Sequence, residues 1–572
     1  MLTQILNLED YQTTHGQKCV GRVSILLWLR SINAMRSDAQ VSDVELLRLA
    51  TSHQTGDDSN IHLTNASYDR GHWTYRCCIT GLCCSYIASI SCAVLASGVL
   101  GYSENPDDGV YQWTRMHTWP HINISPTLAE VVPLAVNVVV TGLIEATGLI
   151  HATTLRWALG RRLTFNSNLR LFASARGSFA LGKLANAVHA GLLVLTYTST
   201  SLLFPISPSP EFCEINPVGD DIAECDGLVY LSPPAMGCLA AALFGQAVLA
   251  TWQIISIKVP TWSASPLDTA WASVERGLLT RTPGRCMASV HDHSAPTTDQ
   301  GFLARKKQGS AWSAHKQVRR IVYYIIVVTF GCVAWFIILY AVIRAKTKYF
   351  ATEVPCNGCG IYEGSNWSII PDQGNVPTST AVIVEYSAKF HIGLFIIIYI
   401  FQAFLTMALC CAELITNLSR DEVSWRKCSG RRSYMVRPNA VLRAMLSWSA
   451  VALFTLKAVL HWLFGKAMAY AYNWGIFLRT PQLLYLAIGS VLLATLVIVV
   501  ALQRPKGSQP ATYGHLQTLV DLVDDWHLMM FWGDKGLSGL AESGDARHAG
   551  TSAMPLGSIV TGAHYLGTAV SC

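Results

Sequence analysis

Residues 321–343 read IVYYIIVVTFGCVAWFIILYAVI, an apolar run without a charged side chain. A helix that crosses a bilayer needs about 20 mostly apolar residues, and hydrocarbon offers no hydrogen-bond partner to an unpaired backbone amide. The length and composition of this run therefore predict a transmembrane helix.

Similar apolar runs recur along the chain. They cover residues 79–101, 128–155, 184–204, 235–257, 391–415, 444–465 and 482–502. Only 14% of the 572 residues are charged and 51% are hydrophobic, whereas soluble domains carry about 25% charged residues. The sequence therefore predicts an all-α, polytopic transmembrane helical bundle of about eight spans and excludes a soluble multidomain protein.

The charges of the connecting loops predict the orientation of the chain. Loops 156–183, 258–320 and 416–443 together hold 23 basic and 6 acidic residues. The alternate loops, 103–127, 205–234, 344–390 and 466–481, hold 7 basic and 13 acidic residues. Because basic loops stay in the cytosol, both termini are predicted to be cytosolic, in the plasma membrane or an endomembrane.

This orientation divides the chain into five regions. A largely irregular cytosolic region and a basic cytosolic linker loop alternate with two groups of four spans, and a small cytosolic tail follows. The regions are residues 1–78 (N-terminal region), 79–257 (spans one to four), 258–320 (linker loop), 321–502 (spans five to eight) and 503–572 (tail).

Four cysteines and two glycosylation sequons fall in the predicted external loops. The cysteines are Cys213, Cys225, Cys356 and Cys359, and the sequons begin at Asn123 and Asn366. An oxidising compartment favours disulfides over a thiolate metal site. Pairing of Cys213 with Cys225 is the first choice and cross-loop pairing the alternative.

The tail holds a helical stripe within residues 514–527. Its apolar side chains share one face and three aspartates lie on the other. An acidic face is a poor partner for anionic lipid, so we expect the stripe to pack on the basic cytosolic loops. Binding of a cytosolic protein partner at the tail is the alternative. The segments 531–536 and 547–552 are interpreted as glycine turns, without the strand and helix that a phosphate-binding loop needs.

Several stretches give the chain a resemblance to a known group. They are RWAL (156–159), LTFNSNLRLF (163–172), PQLLY (481–485), PATYGHLQTLVD (510–521), FWGDKG (531–536) and RHAGTS (547–552). The chain resembles a family of uncharacterised fungal multi-pass membrane proteins. The resemblance implies an integral membrane protein with a structured cytosolic tail, and it carries no catalytic residue.

Polar side chains interrupt four of the predicted spans. They are Asn137, Thr141, Glu145, His189, Gln402, Thr406, Glu413, Lys457 and His461. Many such residues only join helices through hydrogen bonds of about 0.6 kcal/mol each. Glu413, near the predicted cytosolic end, is expected to reach water.

Glu145 and Lys457 are different, because their predicted depths are about 15 and about 20 Å from the same interface. Opposite charges at matched depth in a bilayer are far less costly as neighbours. The sequence therefore predicts a buried Glu145–Lys457 pair, for transport or only for helix registry. Spans two and six, and three and seven, share similar polar residues, which suggests two related four-helix halves.

Three classes of function fit these features. The first is transport of a small solute or ion, and the second is a membrane scaffold or sensor whose tail recruits a partner. The third, an integral-membrane enzyme acting on a lipid or terpenoid, has the least support because no catalytic motif is present. No metal, cofactor or nucleic acid is predicted; His291 and His293 are interpreted as a chance pair.

Overall fold

The computed structural model describes most of the chain from Tyr68 onward. The described residues are 68–100, 121–123, 126–168, 173–204, 228–292, 301–350, 367, 369, 380–383, 388–429, 434–435, 447–471, 475–537 and 547–566. The four external cysteines, Asn366 and His293 lie outside these ranges, as does the side chain of Asn123.

The protein is mostly helical. The long helices are α1 (His72–Leu100), α2 (Pro126–Leu159), α3 (Lys183–Ser201), α4 (Pro233–Ser256), α7 (Lys316–Phe350), α8 (Ala388–Arg426), α9 (Trp448–Ala467) and α10 (Thr480–Leu502). Shorter helices are α5 (Pro266–Glu275), α6 (Ala311–Ala314) and α11 (Leu516–Leu522).

Seven of the described helices are long and apolar enough to cross a membrane, one fewer than the sequence predicted. The exception is α3, which ends in the polar run TYTSTS (196–201). Several of its hydroxyls are satisfied within the helix: Thr196 donates to the Leu192 carbonyl at 2.8 Å and Thr198 to the Val194 carbonyl at 2.9 Å. Because these residues are buried in the bundle, this half of α3 needs no apolar surface.

Short strands gather at one end of the bundle, which we call the strand end. There β1 (His121–Asn123) pairs antiparallel with β2 (Leu228–Tyr230). In the same way, β4 (Thr380–Ile383) pairs with β7 (Gly475–Arg479), which also pairs with β6 (Met468–Ala471). The pairs β1–β2 and β4–β7 each join a strand just before α2 or α8 to a strand just before α4 or α10, and β6 follows the end of α9.

The opposite end, the tail end, carries the described part of the C-terminal tail. A five-stranded sheet in the order β3-β10-β9-β8-β5 consists of β3 (Phe302–Leu303), β5 (Tyr434–Met435), β8 (Met529–Leu537), β9 (Arg547–Ser552) and β10 (His564–Tyr565). Strands β8 and β9 correct the prediction of glycine turns at 531–536 and 547–552, because the two segments pair with each other across the sheet. The sheet also adds strands to a chain predicted to be all-α.

The predicted tail helix is shorter than 514–527. It covers Leu516–Leu522 and ends at Val523, whose backbone is extended before β8 begins. Its apolar face is buried with residues of the 258–320 segment. Asp521 forms an ion pair with Arg285, with 3.2 Å between Oδ2 and Nε. The expectation that the stripe packs on a basic loop is confirmed, and that loop contains the ordered helix α5.

The eight long helices form two groups of four with the same internal packing. In the first group α1 packs on α4, α3 on α4 and α2 on α1; in the second α7 packs on α10, α9 on α10 and α8 on α7. A matching detail supports the repeat: a Cβ on Gly245 would meet Leu192 at 2.8 Å, and a Cβ on Gly489 would meet Leu460 at 2.6 Å. The contacts between the groups are made chiefly by α2 and α3 with α8 and α9.

Candidate functional site

Lys457 lies on α9, between two carboxylates that come from different halves of the bundle. Its Nζ forms ion pairs with Glu145 Oε1 on α2 and with Glu413 Oε2 on α8, the latter at 2.7 Å. The predicted contact between Glu145 and Lys457 is therefore present. We call Glu145, Glu413 and Lys457 the triad.

The participation of Glu413 was not predicted. The sequence placed the end of its span near Ile415, which put Glu413 close to water, but α8 continues to Arg426. The extra turns are possible because the polar side chains at their end have partners. Glu422, for example, accepts hydrogen bonds from the amides of Thr512 and Tyr513 at 2.8 and 2.9 Å.

The three side chains of the triad differ in exposure. The Lys457 side chain is 8% exposed, whereas those of Glu145 and Glu413 are 36% and 39% exposed. The ammonium is therefore enclosed, and each carboxylate keeps an open side.

His461 lies one turn from Lys457 on α9, toward the strand end. Its ring stacks on Tyr197 of α3, with 3.5 Å between the ring centroids and 14° between the planes. Its Nδ1 forms a hydrogen bond with the Gln402 side chain of α8. His461 Nε2 has no hydrogen-bond partner although the residue is fully buried.

Other predicted residues surround this group. Thr141 on α2 and Thr406 on α8 are buried. Thr141 contacts Tyr197 of α3, whereas the Thr406 hydroxyl has no partner. Asn137 donates to the Pro133 carbonyl at 2.9 Å, while its Oδ1 has no partner. These residues line the same faces of α2 and α8 as the triad, so most of the predicted polar residues share the interface between the halves.

His189 is the exception among the predicted residues. It stacks on His151 of α2, with 4.2 Å between the ring centroids. His151 in turn forms a hydrogen bond with Gln253 of α4 at 3.0 Å. This second group lies within the first half, near its tail end, and sequence reasoning missed both His151 and Gln253.

Several residues of the stretches that resemble the fungal family form hydrogen bonds at the tail end of the bundle. Arg156 donates to the Ser263 carbonyl and to Thr269, each at 3.2 Å. Asn166 donates to Asp421 of α8 at 3.0 Å, and Pro510 accepts a hydrogen bond from the Trp425 indole at 2.9 Å. The contacts join both halves to the tail and involve no open site.

The tail has its own charge cluster across β8 and β9. Asp524 accepts hydrogen bonds from Lys535 at 2.7 Å, from His548 at 2.9 Å and from the Thr551 amide at 2.6 Å. Burial raises the pKa of Asp524, but the hydrogen bonds from His548, Lys535 and Thr551 outweigh it and hold the pKa below its usual range. Burial lowers the pKa of Lys535, but its contacts with Asp524 and Asp525 outweigh burial and raise that pKa.

Within the described ranges, no group of three or more His, Cys, Asp and Glu side chains could hold a metal ion. His291 instead forms a hydrogen bond with the Ser310 carbonyl at 3.1 Å through Nε2. Its proposed neighbour His293 falls outside those ranges.

Comparison of the chain with protein-family models, with curated proteins and with solved structures found no match. The class of the protein therefore follows from its own fold and composition. Seven membrane-competent helices support a membrane location and contact with a lipid bilayer.

Proposed function

We propose that the protein is a transporter that moves a small solute or ion between its two four-helix halves. The observation that carries this proposal is Lys457, which binds a carboxylate of the other half and a carboxylate of its own half at once. Ionisable groups inside a membrane are costly and mark pathways or relays. The partnerless buried polar atoms beside the triad support a route that water or cargo occupies during transport.

The repeated packing supports the same proposal. Transporters built from repeats bind their cargo at the repeat interface near mid-membrane, and one repeat rocks against the other. Here the triad lies at the interface between the two groups of helices. Movement of one half against the other would break the Glu145–Lys457 contact and leave the Glu413–Lys457 contact within its half.

The proposed topology has eight crossings with both termini in the cytosol, and α3 supplies the eighth. The Ser232 amide donates to the Leu203 carbonyl at 2.9 Å, which puts the end of α3 beside the start of α4 at the strand end. Gln253 contacts the Ala180 carbonyl at 3.4 Å, which puts the start of α3 beside the end of α4 at the tail end. The segment 180–203 that contains α3 thus connects the same two ends as α4, and the polar residues of α3 are buried in the bundle.

A scaffold role for the tail has less support. Leu516, Leu519 and Val520 of α11 are buried within the same chain, so this apolar face is already covered and does not offer a docking surface. Membership of the fungal membrane family remains our proposal from the shared stretches.

Flux through the purified, full-length protein in liposomes tests the transport proposal. Proton flux is read with an internal pH-sensitive dye, and solute flux with labelled amino acids, sugars and organic acids. We expect flux of at least one of these above protein-free liposomes and most of it lost in Lys457→Met. Thr495→Val, which removes an exposed hydroxyl on α10, is the matched control. No flux of any test solute, or equal flux in Lys457→Met, would overturn the proposal.

A further inference from the structure

The charges of the triad do not balance. Two carboxylates contact one ammonium, so the group carries a net negative charge when all three residues are ionised. An uncompensated charge inside a membrane protein is costly, and such a group neutralises or draws in water. One further positive charge would bring the triad to neutrality.

The surroundings of the triad contain few groups that could supply that charge. Among the titratable groups described around Lys457 are Tyr197 of α3 and Cys410 of α8, neither of which is cationic in its ordinary forms, and His461 of α9. His461 of α9 has its Nδ1 bound to Gln402 and its ring against Tyr197. Arg420 of α8 faces Glu413 and lies two turns away along the same helix.

Glu145 and Glu413 differ in the cations that lie near them. Asn417 and Arg420 follow Glu413 at the spacings of one and two helical turns, which puts both on its face of α8. At the same spacings Glu145 is followed by Leu149 and Ala152, which are apolar. Glu413 thus has a second cation in reach, whereas among the described residues the ammonium of Lys457 is the cation that contacts Glu145.

We propose that Glu145 is a proton-binding site, and that binding of the proton weakens the Glu145–Lys457 ion pair between the halves. A hydronium ion gives its proton to a Glu145 carboxylate oxygen, where a new O–H bond forms and a water molecule is released. Lys457 keeps all its protons and stays with Glu413. The ion pair between the halves becomes a weaker contact with a neutral acid, and return of the proton to water restores the pair.

A second observation supports a route for the proton. Fully buried His461 Nε2 lies one turn from Lys457 without a partner, and the hydroxyl of Thr406 is likewise unpartnered. Buried polar atoms of native proteins usually bind a protein group or an ordered water. Water bridging these atoms would connect the exposed side of Glu145 to the strand end. The proton's role as the coupling ion rests on the proposed transport function, but the binding site does not.

Infrared spectroscopy of the purified, full-length protein tests the site without any flux. The infrared spectrum is compared between acidic and neutral pH; on acidification it should gain the C=O band of a protonated carboxyl, and Glu145→Gln should remove that band. Glu413→Gln and Glu275→Gln, the latter an exposed carboxylate on α5, should keep the band. A band removed by Glu413→Gln and kept by Glu145→Gln would overturn the proposal, as would a spectrum unchanged by Glu145→Gln.

Labelling of Cys410 tests the effect of the proton on the halves. This cysteine of α8 is only partly exposed and faces the triad. Mass mapping after maleimide treatment should show a severalfold higher ratio of Cys410 to Cys332 labelling in Glu145→Gln than in wild type, with no change in Glu275→Gln. An unchanged ratio would overturn the switching role. If the carboxyl band is found and flux is absent, the proton site stands and the transport function falls.

Discussion

Lys457→Met is the substitution that most sharply tests the energetics of the triad. It leaves Glu145 and Glu413 facing each other without the ammonium that both contact. Removing one partner of a buried ion pair costs about 3 to 5 kcal/mol. Because each carboxylate is more than a third exposed, we expect the lower part of that range, about 3 kcal/mol.

Variants that also neutralise the carboxylates separate the effect of an unpaired charge on stability from the effect of the changed Lys457 side chain. Glu145→Gln with Lys457→Met leaves the Glu413 carboxylate without the ammonium that it contacts, so that double variant should recover only part of the stability. The triple variant with Glu413→Gln removes every charge, and buried ionic groups replaced together are often neutral in stability. It should therefore be more stable than Lys457→Met alone.

Thermal unfolding of the full-length protein in one detergent, followed by tryptophan fluorescence, ranks the variants. The expected order is wild type and triple variant above the double variant, with Lys457→Met lowest. Equal melting temperatures for wild type and Lys457→Met would refute the reasoning, and so would a triple variant as unstable as the single one.

Four further predictions follow from other parts of the molecule. Gly489→Leu should destabilise the bundle by about 1 to 3 kcal/mol through overpacking, since even a Cβ there meets Leu460 at 2.6 Å, while Gly237→Ala, with nothing within 4 Å, should be neutral in the same melting assay. Asp524 has a lowered folded-state pKa, so its contribution to tail stability should be complete above its unfolded pKa of about 3.9 and be lost as the pH falls from there through the lower folded-state pKa. Trp532 fluorescence during acid titration should therefore show a smaller loss of tail stability in Asp524→Asn than in wild type. Equal acid sensitivity of the two proteins would count against the cluster. Tags at residues 20 and 540 should both be protected from protease added to sealed cells, and cleavage of either would contradict the topology. Mass mapping should find Cys213 joined to Cys225, whereas four free external thiols in protein from intact cells would reject the disulfide prediction.

The membrane-spanning helices and the central ion pair could be predicted because both follow from local rules. An apolar run such as 321–343 has few alternatives to a spanning helix, and the depths of Glu145 and Lys457 follow from the rise of the helix. The role of Glu413 could not be predicted in the same way. The run NLSRDEVSWR (417–426) looks like a loop, and it is helical because the tail supplies partners for Glu422 and Arg426.

The other differences also have tertiary causes. The polar half of α3 lowers its hydropathy, and only its burial in the bundle explains how such a helix can accompany seven apolar ones. Segments 531–536 and 547–552 have the glycines of turns, but Asp534 on β8 accepts a cross-strand bond from Arg547 on β9 at 2.8 Å. Pairing of this kind depends on a distant partner that a local pattern does not contain.

A reversible cross-link between the halves tests the central claim most directly. A Cβ on Gly465 at the end of α9 would lie 3.1 Å from the Ser201 Cβ at the end of α3, slightly closer than the 3.5 to 4.5 Å of natural disulfides. Cysteines at these two positions should therefore pair after a small shift. In liposomes, oxidised S201C/G465C protein should lose its flux and regain it on reduction, because transport requires the halves to move apart at the strand end. Full flux through the cross-linked protein would contradict the account.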